Sequence, residues 1–468
     1  MNATGRRFAS GAGVPVADVP AYVPARVVDI DLAVPGEFSP PGGGERIRPQ
    51  GRVLALVRLY GHPLGMVAAD GADPQTLWRA LVEATERELS IEAARLPPAD
   101  RAYVPADGPG SAPSPDGADA GSRRGATLRG DPPSANPPHD LPDISVIVPT
   151  HNRCHLLRQC LDSLLGMEYP TSRFEVIVVD NAPADEAAEQ LIHKAYSSRV
   201  RYVKEPVVGG ARARSRGLAA ANGSITAFAD DDTLVDTRWL SALAEAFSRD
   251  RRIGCVTGLI IPAELETAAQ AALERHGGFS KGYSARAWSL DDPPEDPLFP
   301  FTAGHFGSGA NMAFRTDLLR KLGGFDPATG PGTPARGGED LLAFFQVVVS
   351  GHTLTYQPDA IVWHRHRRTP DALSAQAFGY GAGFGAYLTG ALAHEPRMLP
   401  VLLRRLPGGI RYAAGRARTR TSSQGSEWSP RLTLLEIRGL LYGPLGYLRS
   451  RNRCLKHNRS SISHADGN

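Results

Sequence analysis

The chain is poor in cysteine and in aromatic residues, and it has no long aliphatic run. Its four cysteines, Cys154, Cys160, Cys255 and Cys454, show no zinc-ligand spacing in 468 residues. So few thiols argue for a reducing compartment and for ordinary side-chain roles. Residues 1–20 contain arginines but no apolar stretch behind them, so no secretion signal is expected and the reading is cytoplasmic. The glycine fingerprint of dinucleotide binding is also missing, which argues against a nicotinamide enzyme. Ala372–Ala393 is uncharged and long enough to span a bilayer, but five glycines leave it short of Leu, Ile and Val. A buried or interfacial segment is therefore expected there rather than a membrane span.

What is present is the composition of a soluble globular protein, 42% apolar and 22% charged, with enough glycine (50) and proline (39) to imply linker or tail. A chain of this length implies two or three units. We expect a disordered N-terminus over 1–19 and a small accessory α+β domain over 20–98. In the latter, two apolar runs flank Gly61-His62-Pro63, and a helix opens with Asp73 as cap and Pro74 at its first position. Residues 99–142, dominated by Pro, Gly, Ala, Ser and Asp, read as a disordered linker. That composition predicts a catalytic unit over 143–370 that stands on its own. Beyond it lie a helical, basic region over 371–458 and a tail over 459–468. From Arg397 to Arg459 fourteen Lys/Arg face only Glu427 and Glu436, a balance of +12. Such a region points to an anionic partner, and no nucleic-acid module accompanies it, so a peripheral contact with an anionic membrane is the reading.

Within the central unit, Ile144–Val148 is a near-continuous apolar run ending in Pro149-Thr150, the pattern of a strand buried on both faces. An amphipathic helix follows, then a second such strand closing on Asp180, and the alternation continues through Ser224–Ala229. That pattern specifies an open, mostly parallel α/β sheet of Rossmann-like type, whose ligands sit beyond the carboxyl ends of the strands. Thr150, Asp180 and Asp230 should then line one crevice. Asp230-Asp231-Asp232 stands directly behind an apolar strand; in extended geometry Asp230 and Asp232 share a face while Asp231 points away. Two carboxylates so close repel unless a cation sits between them, and oxygen ligands favour Mg²⁺ or Mn²⁺.

Asp143–Arg368 resembles a family 2 glycosyltransferase of the GT-A fold, inverting and dependent on a nucleotide sugar. The resemblance is carried by Ile144–Arg153, Val178–Asn181, Gly210–Gly217, Asp230–Asp232 and Gly338–Asp340 in that order. It implies a transfer from a nucleotide-diphosphate sugar to a hydroxyl acceptor with a divalent metal, Mn²⁺ or Mg²⁺. It implies that Pro149, Thr150, Asn152, Arg153, Asp180, Arg212, Asp230 and Asp231 contact the nucleotide or donor, and that Gly309 and Asn311, in a glycine-rich stretch, line the donor sugar. Asp230, Asp232 and His364 become the metal site, although alternation puts His364 and His366 on one face and leaves the choice open. Asp340 becomes the general base, with Glu339 and Arg336 on the acceptor side. The alternatives are a sugar nucleotidyltransferase, which would need its phosphate-binding glycines and basic run directly after the first strand, and a catalytically silent binding subunit, which would lack the acids.

Overall fold

The computed structural model describes residues 24–93, 141–276, 278–408 and 430–465. The expected N-terminal segment 1–19, the linker 99–142 apart from its last two residues, and 409–429 of the basic region lie outside the described residues. The N-terminal unit consists of β1 (Arg26–Asp31), β2 (Gly51–Leu59), β3 (His62–Gly71) and α1 (Pro74–Ala93). Strand β2 lies between the other two, parallel to β1 and antiparallel to β3. The Asp73 carboxylate accepts the backbone N–H groups of Gln75 and Thr76 at 2.9 and 3.0 Å, which satisfies two donors at the start of α1. Leu77, Trp78 and Leu81 bury that helix on the sheet.

Despite the linker, this unit packs on the rest of the chain. Arg58 of β2 is buried between two carboxylates, reaching Asp29 at 2.5 Å and Asp236 at 2.6 Å. His62 meets Asp359 at 2.9 Å, and the Ala25 N–H donates to the Leu265 carbonyl at 3.0 Å. Linker composition speaks only to the tether, and the docking rests on Arg58, which a sequence pattern does not separate from a surface arginine.

The large unit alternates as its pattern requires: β4 (Ile144–Thr150), α2 (Cys154–Leu165), β5 (Phe174–Asn181), α3 (Ala187–Ala195), β6 (Val200–Glu205), α4 (Gly210–Ala220) and β7 (Ile225–Ala229). Then come β8 (Thr233–Val235), α5 (Trp239–Arg249), β9 (Ile253–Pro262), α6 (Ala268–Arg275), β10 (Arg286–Trp288), β11 (Asn311–Arg315), α7 (Thr316–Lys321), α8 (Glu339–Val349) and β12 (Thr353–His364). Nine strands form one sheet in the order β10-β12-β9-β11-β7-β4-β5-β6, with β8 paired to β12. The first half, β7-β4-β5-β6, is wholly parallel. Strand β11 then inserts antiparallel between β7 and β9, so the sheet as a whole is mixed. Alternate residues of the central strands serve two cores. Ile147, Ile177 and Phe228 pack on one face, and Val146, Val148 and Val178 on the other.

The acidic triplet departs from the extended geometry expected of it. Strand β7 ends at Ala229, and Asp230–Asp232 form a turn closed by the Thr233 N–H on the Asp230 carbonyl at 3.2 Å. A turn does not alternate faces, so each of the three side chains takes its own direction.

The uncharged stretch becomes α9 (Pro370–His394), which packs along α10 (Pro430–Ala465) and on α8. Its glycines are contact points between helices. A Cβ on Gly381 would strike the Glu436 carbonyl, and one on Gly443 would strike the backbone at Ala382 and Ala386. No helix among the described residues is long and apolar enough to cross a membrane. Helix α10 continues to Ala465, past the expected boundary at 458.

Replacing Arg58 with methionine leaves Asp29 and Asp236 as buried charges without a counterion, which costs about 3–5 kcal/mol. Urea denaturation of the Arg58→Met chain should read that loss. A shift below about 1 kcal/mol would mean that the two carboxylates reach water when the arginine is gone.

Candidate active site

The carboxyl ends of β4, β5 and β7 meet at one edge of the sheet. Thr150 is buried there, and its hydroxyl donates to Asp231 at 2.7 Å. Arg153, the residue that opens α2, reaches Asp232 at 2.6 Å and Asp231 at 3.1 Å. Asp180 accepts from the Tyr202 hydroxyl at 3.0 Å. Next to it the Asn181 side chain holds the approach to α4, accepting the Gly209 N–H at 2.9 Å and donating to the Val207 carbonyl at 2.8 Å. Asn152 takes a left-handed backbone and accepts the Ala184 N–H at 3.0 Å. Arg212 is half-buried in the first turn of α4, and Pro149 is half-buried in β4.

Burial raises the Asp231 carboxyl, and Arg153 only partly offsets it. For Asp232 burial acts the same way, but His364 and Arg153 outweigh it and hold the group well below the usual carboxylate range. The His364 imidazole is disfavoured as a cation by burial, yet Asp232 overcomes this and raises it. Asp180 is also raised by its burial, against the pull of the Tyr202 hydroxyl.

Among the three expected metal ligands, the structure brings together Asp232 and His364, whose Oδ1 and Nε2 are 3.4 Å apart. The Asp232 Oδ1 atom is buried and accepts no hydrogen bond, as a position meant for a cation would be. His366 is buried, with its Nε2 against Glu274 and its Nδ1 3.2 Å from His364 Nδ1. Asp230 differs from the other two, because its Oδ1 is paired with Arg214 at 2.7 Å. Among the described residues no group of three or more His, Cys, Asp or Glu forms a metal cluster. Two protein ligands still fit Mg²⁺ or Mn²⁺, which commonly take one or two carboxylates and complete their shell with phosphate oxygens and water.

Arg214 is the residue that the pattern does not flag. Only 4% exposed, it bridges Asp230 at 2.7 Å and Glu339 at 2.6 Å, tying the turn after β7 to the first turn of α8. Its sequence signal is its place among Ala211, Gly217 and Leu218 on the buried side of α4, where an arginine needs a partner. Glu339 therefore has one carboxylate oxygen paired inside the protein. Burial pushes its carboxyl up, against the Arg214 guanidinium.

Asp340 is half-buried and faces the other way. It accepts the Gly309 N–H at 2.7 Å and its neighbour Leu341 N–H at 2.8 Å. A Cβ on Gly309 would press on this carboxylate at 3.2 Å, so glycine permits the approach, and the Gly309 N–H is spent on Asp340 instead of on a donor sugar. Asn311 is the second correction in this stretch. It is fully buried, donates to the Leu259 and Ala360 carbonyls at 3.0 and 2.7 Å, and accepts the Trp239 indole N–H at 2.9 Å. With both N–H groups and one oxygen lone pair taken and no exposure, its amide organises β9, β11 and β12 instead of facing the cavity.

Asp340 opens onto a cavity of about 1210 Å³ between the sheet edge and the α9–α10 pair. Arg336 lines it, with a left-handed backbone and its guanidinium 5.5 Å from the Phe378 ring. Arg367, 3.9 Å from Asp232, lines the same cavity and so connects it with the acidic turn.

An open α/β sheet thus carries acids at its strand ends, and a further acid, Asp340, faces a large cavity. Residues 145–323 match the sequence model of Glycosyl transferase family 2, and this segment is a family 2 glycosyltransferase domain. The chain is 28% identical over 281 residues to the pre-mycofactocin glycosyltransferase of Mycobacterium tuberculosis, covering 59% of this chain and 53% of that protein. It is 25% identical over 251 residues to glycosyltransferase AglE of Haloferax volcanii, covering 52% of this chain and 73% of that one. It thus spans about half the length of the mycobacterial relative. Among solved structures, a mannosyltransferase of Pyrobaculum calidifontis in complex with GDP-Man and Mn²⁺ aligns at 22% identity and a TM-score of 0.43, over 66% of this chain and 88% of that one.

Replacing Arg214 with methionine strands a buried Glu339 and should cost about 3–5 kcal/mol in chemical denaturation. Adding Glu339→Gln should recover part of the loss, because the buried charge is gone. Additive losses in the double variant would show that the two side chains do not depend on one another.

Proposed function

We propose that this protein is a metal-dependent, inverting glycosyltransferase that moves a sugar from a nucleotide-diphosphate donor to a hydroxyl acceptor. The observation that carries the reading is the division of labour between two acidic sites. Asp232 has a buried oxygen without a donor beside His364, and Asp340 stands on the far side of Arg214, facing a cavity. Asp232 and His364 would hold Mn²⁺ or Mg²⁺, which would supply positive charge to the donor diphosphate. Asp180 and the end of β4 line the nucleoside, and Arg153 holds the two buried acids of the turn in place.

Asp340 takes the proton of the acceptor hydroxyl as that oxygen attacks the anomeric carbon opposite the departing nucleotide, which inverts the centre. The Gly309 and Leu341 N–H groups fix its carboxylate through one hydrogen bond to each oxygen. Glu339 and Arg214 hold the helix start that presents it.

The protein works in the cytoplasm at an anionic membrane surface. Leu434, Ile437, Leu441, Leu445, Leu448 and Leu455 are exposed on α10, with Leu441 at 77%. Their spacing of three, four or seven residues puts them on one side of the helix, and Arg431, Arg438 and Lys456 flank them. An apolar stripe edged with cations is the pattern of a helix lying in a bilayer interface.

Two comparisons test this. Asp232→Asn should weaken Mn²⁺-dependent binding of UDP or GDP in calorimetric titration, whereas Asp340→Asn should leave it nearly unchanged while transfer falls by roughly 10² to 10⁴. Full turnover by Asp340→Asn would remove it as the base, and normal metal-dependent binding by Asp232→Asn would remove the metal site. For the membrane, Leu441→Glu with Leu448→Glu should abolish salt-sensitive sedimentation with vesicles rich in phosphatidylglycerol. Unchanged sedimentation would rule out α10 as the contact.

A further inference from the structure

The cavity in front of Asp340 carries far more positive charge than a neutral sugar acceptor would need. Besides Arg367, which faces Asp232, its lining includes Lys281, Arg336, Arg449 and Arg453. Among the described residues none of these four has a carboxylate within salt-bridge distance, and the acids in the lining are Glu339, bound to Arg214, and Asp340. Cations collected around a cavity and left without counterions are costly to hold together unless an anion joins them.

Three of the four arginine and lysine residues come from one junction. The Ala335 N–H donates to Ser450 Oγ at 3.2 Å, and a Cβ on Gly446 would lie 2.7 Å from the Pro334 carbonyl. This fastens the loop of Pro334–Gly337 to α10. Arg336 leaves the loop one residue after the bond. Arg449 and Arg453 leave the helix one residue before Ser450 and three after it, one turn apart and therefore on the same side. The guanidinium groups thus enter from both partners of a single fixed contact. Lys281 lies deeper, where burial lowers its ammonium against the favourable charge of Asp340.

We propose that the acceptor carries a phosphate group, held at this junction by Arg336, Arg449 and Arg453 while its hydroxyl is presented to Asp340. This deepens the glycosyltransferase reading and rests on Asp340 being the base. Phosphate, rather than carboxylate, follows from the charge: a phosphomonoester carries about −1.5 to −2 and three acceptor oxygens, which suits several guanidinium forks, whereas one carboxylate satisfies one. The donor diphosphate does not account for these residues, because its place is beside Asp232 and His364. The junction borders the exposed stripe of α10, since Leu445 and Leu448 adjoin Arg449 in the helix. A lipid-linked phosphate and a soluble sugar phosphate share the required chemistry.

The test uses the full chain with Mn²⁺ and saturating UDP or GDP, so that the donor side is filled. Decyl phosphate, glucose 6-phosphate, decanoate and the neutral octyl glucoside are titrated by calorimetry into wild type and into the Arg449→Gln/Arg453→Gln variant. Both arginines are exposed, so the variant is expected to fold and to keep its nucleotide affinity. The phosphate probes should bind wild type and weaken by about tenfold or more in the variant. Decyl phosphate binding well above glucose 6-phosphate assigns a lipid source, and equal binding a soluble one. Octyl glucoside or decanoate binding as tightly as decyl phosphate, or a variant that keeps wild-type affinity for both phosphates, overturns the proposal. Wild type that fails to bind either nucleotide with Mn²⁺ would instead overturn the transferase reading, and the phosphate titrations, repeated without nucleotide, would still decide the site.

Discussion

The two acidic sites of this protein depend on one buried arginine. Arg214 takes an oxygen of Asp230 on one side and an oxygen of Glu339 on the other, and it is almost fully removed from water. A guanidinium is suited to this because its fork reaches two carboxylates without losing its charge. The bridge joins elements more than a hundred residues apart in the chain. It fixes how far the turn behind β7 stands from the start of α8, and hence the separation of Asp232 from Asp340. The proposed transfer needs that separation held constant, since it assigns the donor to one end and the acceptor hydroxyl to the other.

Much of the large unit is legible in the sequence because its strands are buried on both faces. A continuous apolar run such as Ile144–Val148 is too short for a core helix and fits the middle of a covered sheet, and the helices between carry clear apolar stripes. Strands β8, β10 and β11 are three to five residues long, too short to show a period, and β11 is what makes the sheet mixed. Strand β1 escapes a pattern reading because its apolar residues alternate with acids next to proline-rich sequence, and only its pairing with β2 reveals it. At the site, residue types are legible and their directions are not. Extended geometry would set Asp230 and Asp232 side by side, whereas the turn there sends Asp230 to Arg214 and leaves Asp232 with His364. Asn311 resembles a sugar ligand by its glycine-rich surroundings, yet its amide is consumed by two carbonyls and an indole. His366 is occupied by Glu274, which lies 92 residues away in sequence, a contact that no local pattern shows.

The N-terminal unit is joined to the same framework. Asp236 begins directly after β8, which itself follows the acidic turn, and Asp236 is held by Arg58 of β2. On the opposite side the Arg365 N–H donates to the Asp232 carbonyl at 3.0 Å, so the turn is held from β12 as well. The backbone that presents Asp232 is thus fixed at both ends, and the accessory unit supplies part of one of those ends. Deleting that unit would leave Asp236 without its counterion.

The helices behind the cavity extend the same logic toward the surface. Gly338, which opens α8 with a left-handed backbone, leaves no room for a Cβ because the Gly383 carbonyl of α9 is already there. On its other side α9 meets α10 backbone to backbone through Gly381 and Gly443. Three helices are therefore stacked with little side-chain cushion between Asp340 and the exposed leucine stripe. Close-packed interiors transmit displacement instead of absorbing it, so α10 cannot shift against α9 without moving the residue before Glu339 and Asp340. The glycine content that argues against a membrane span has its physical reason here: small residues let a surface helix pack closely toward Asp340.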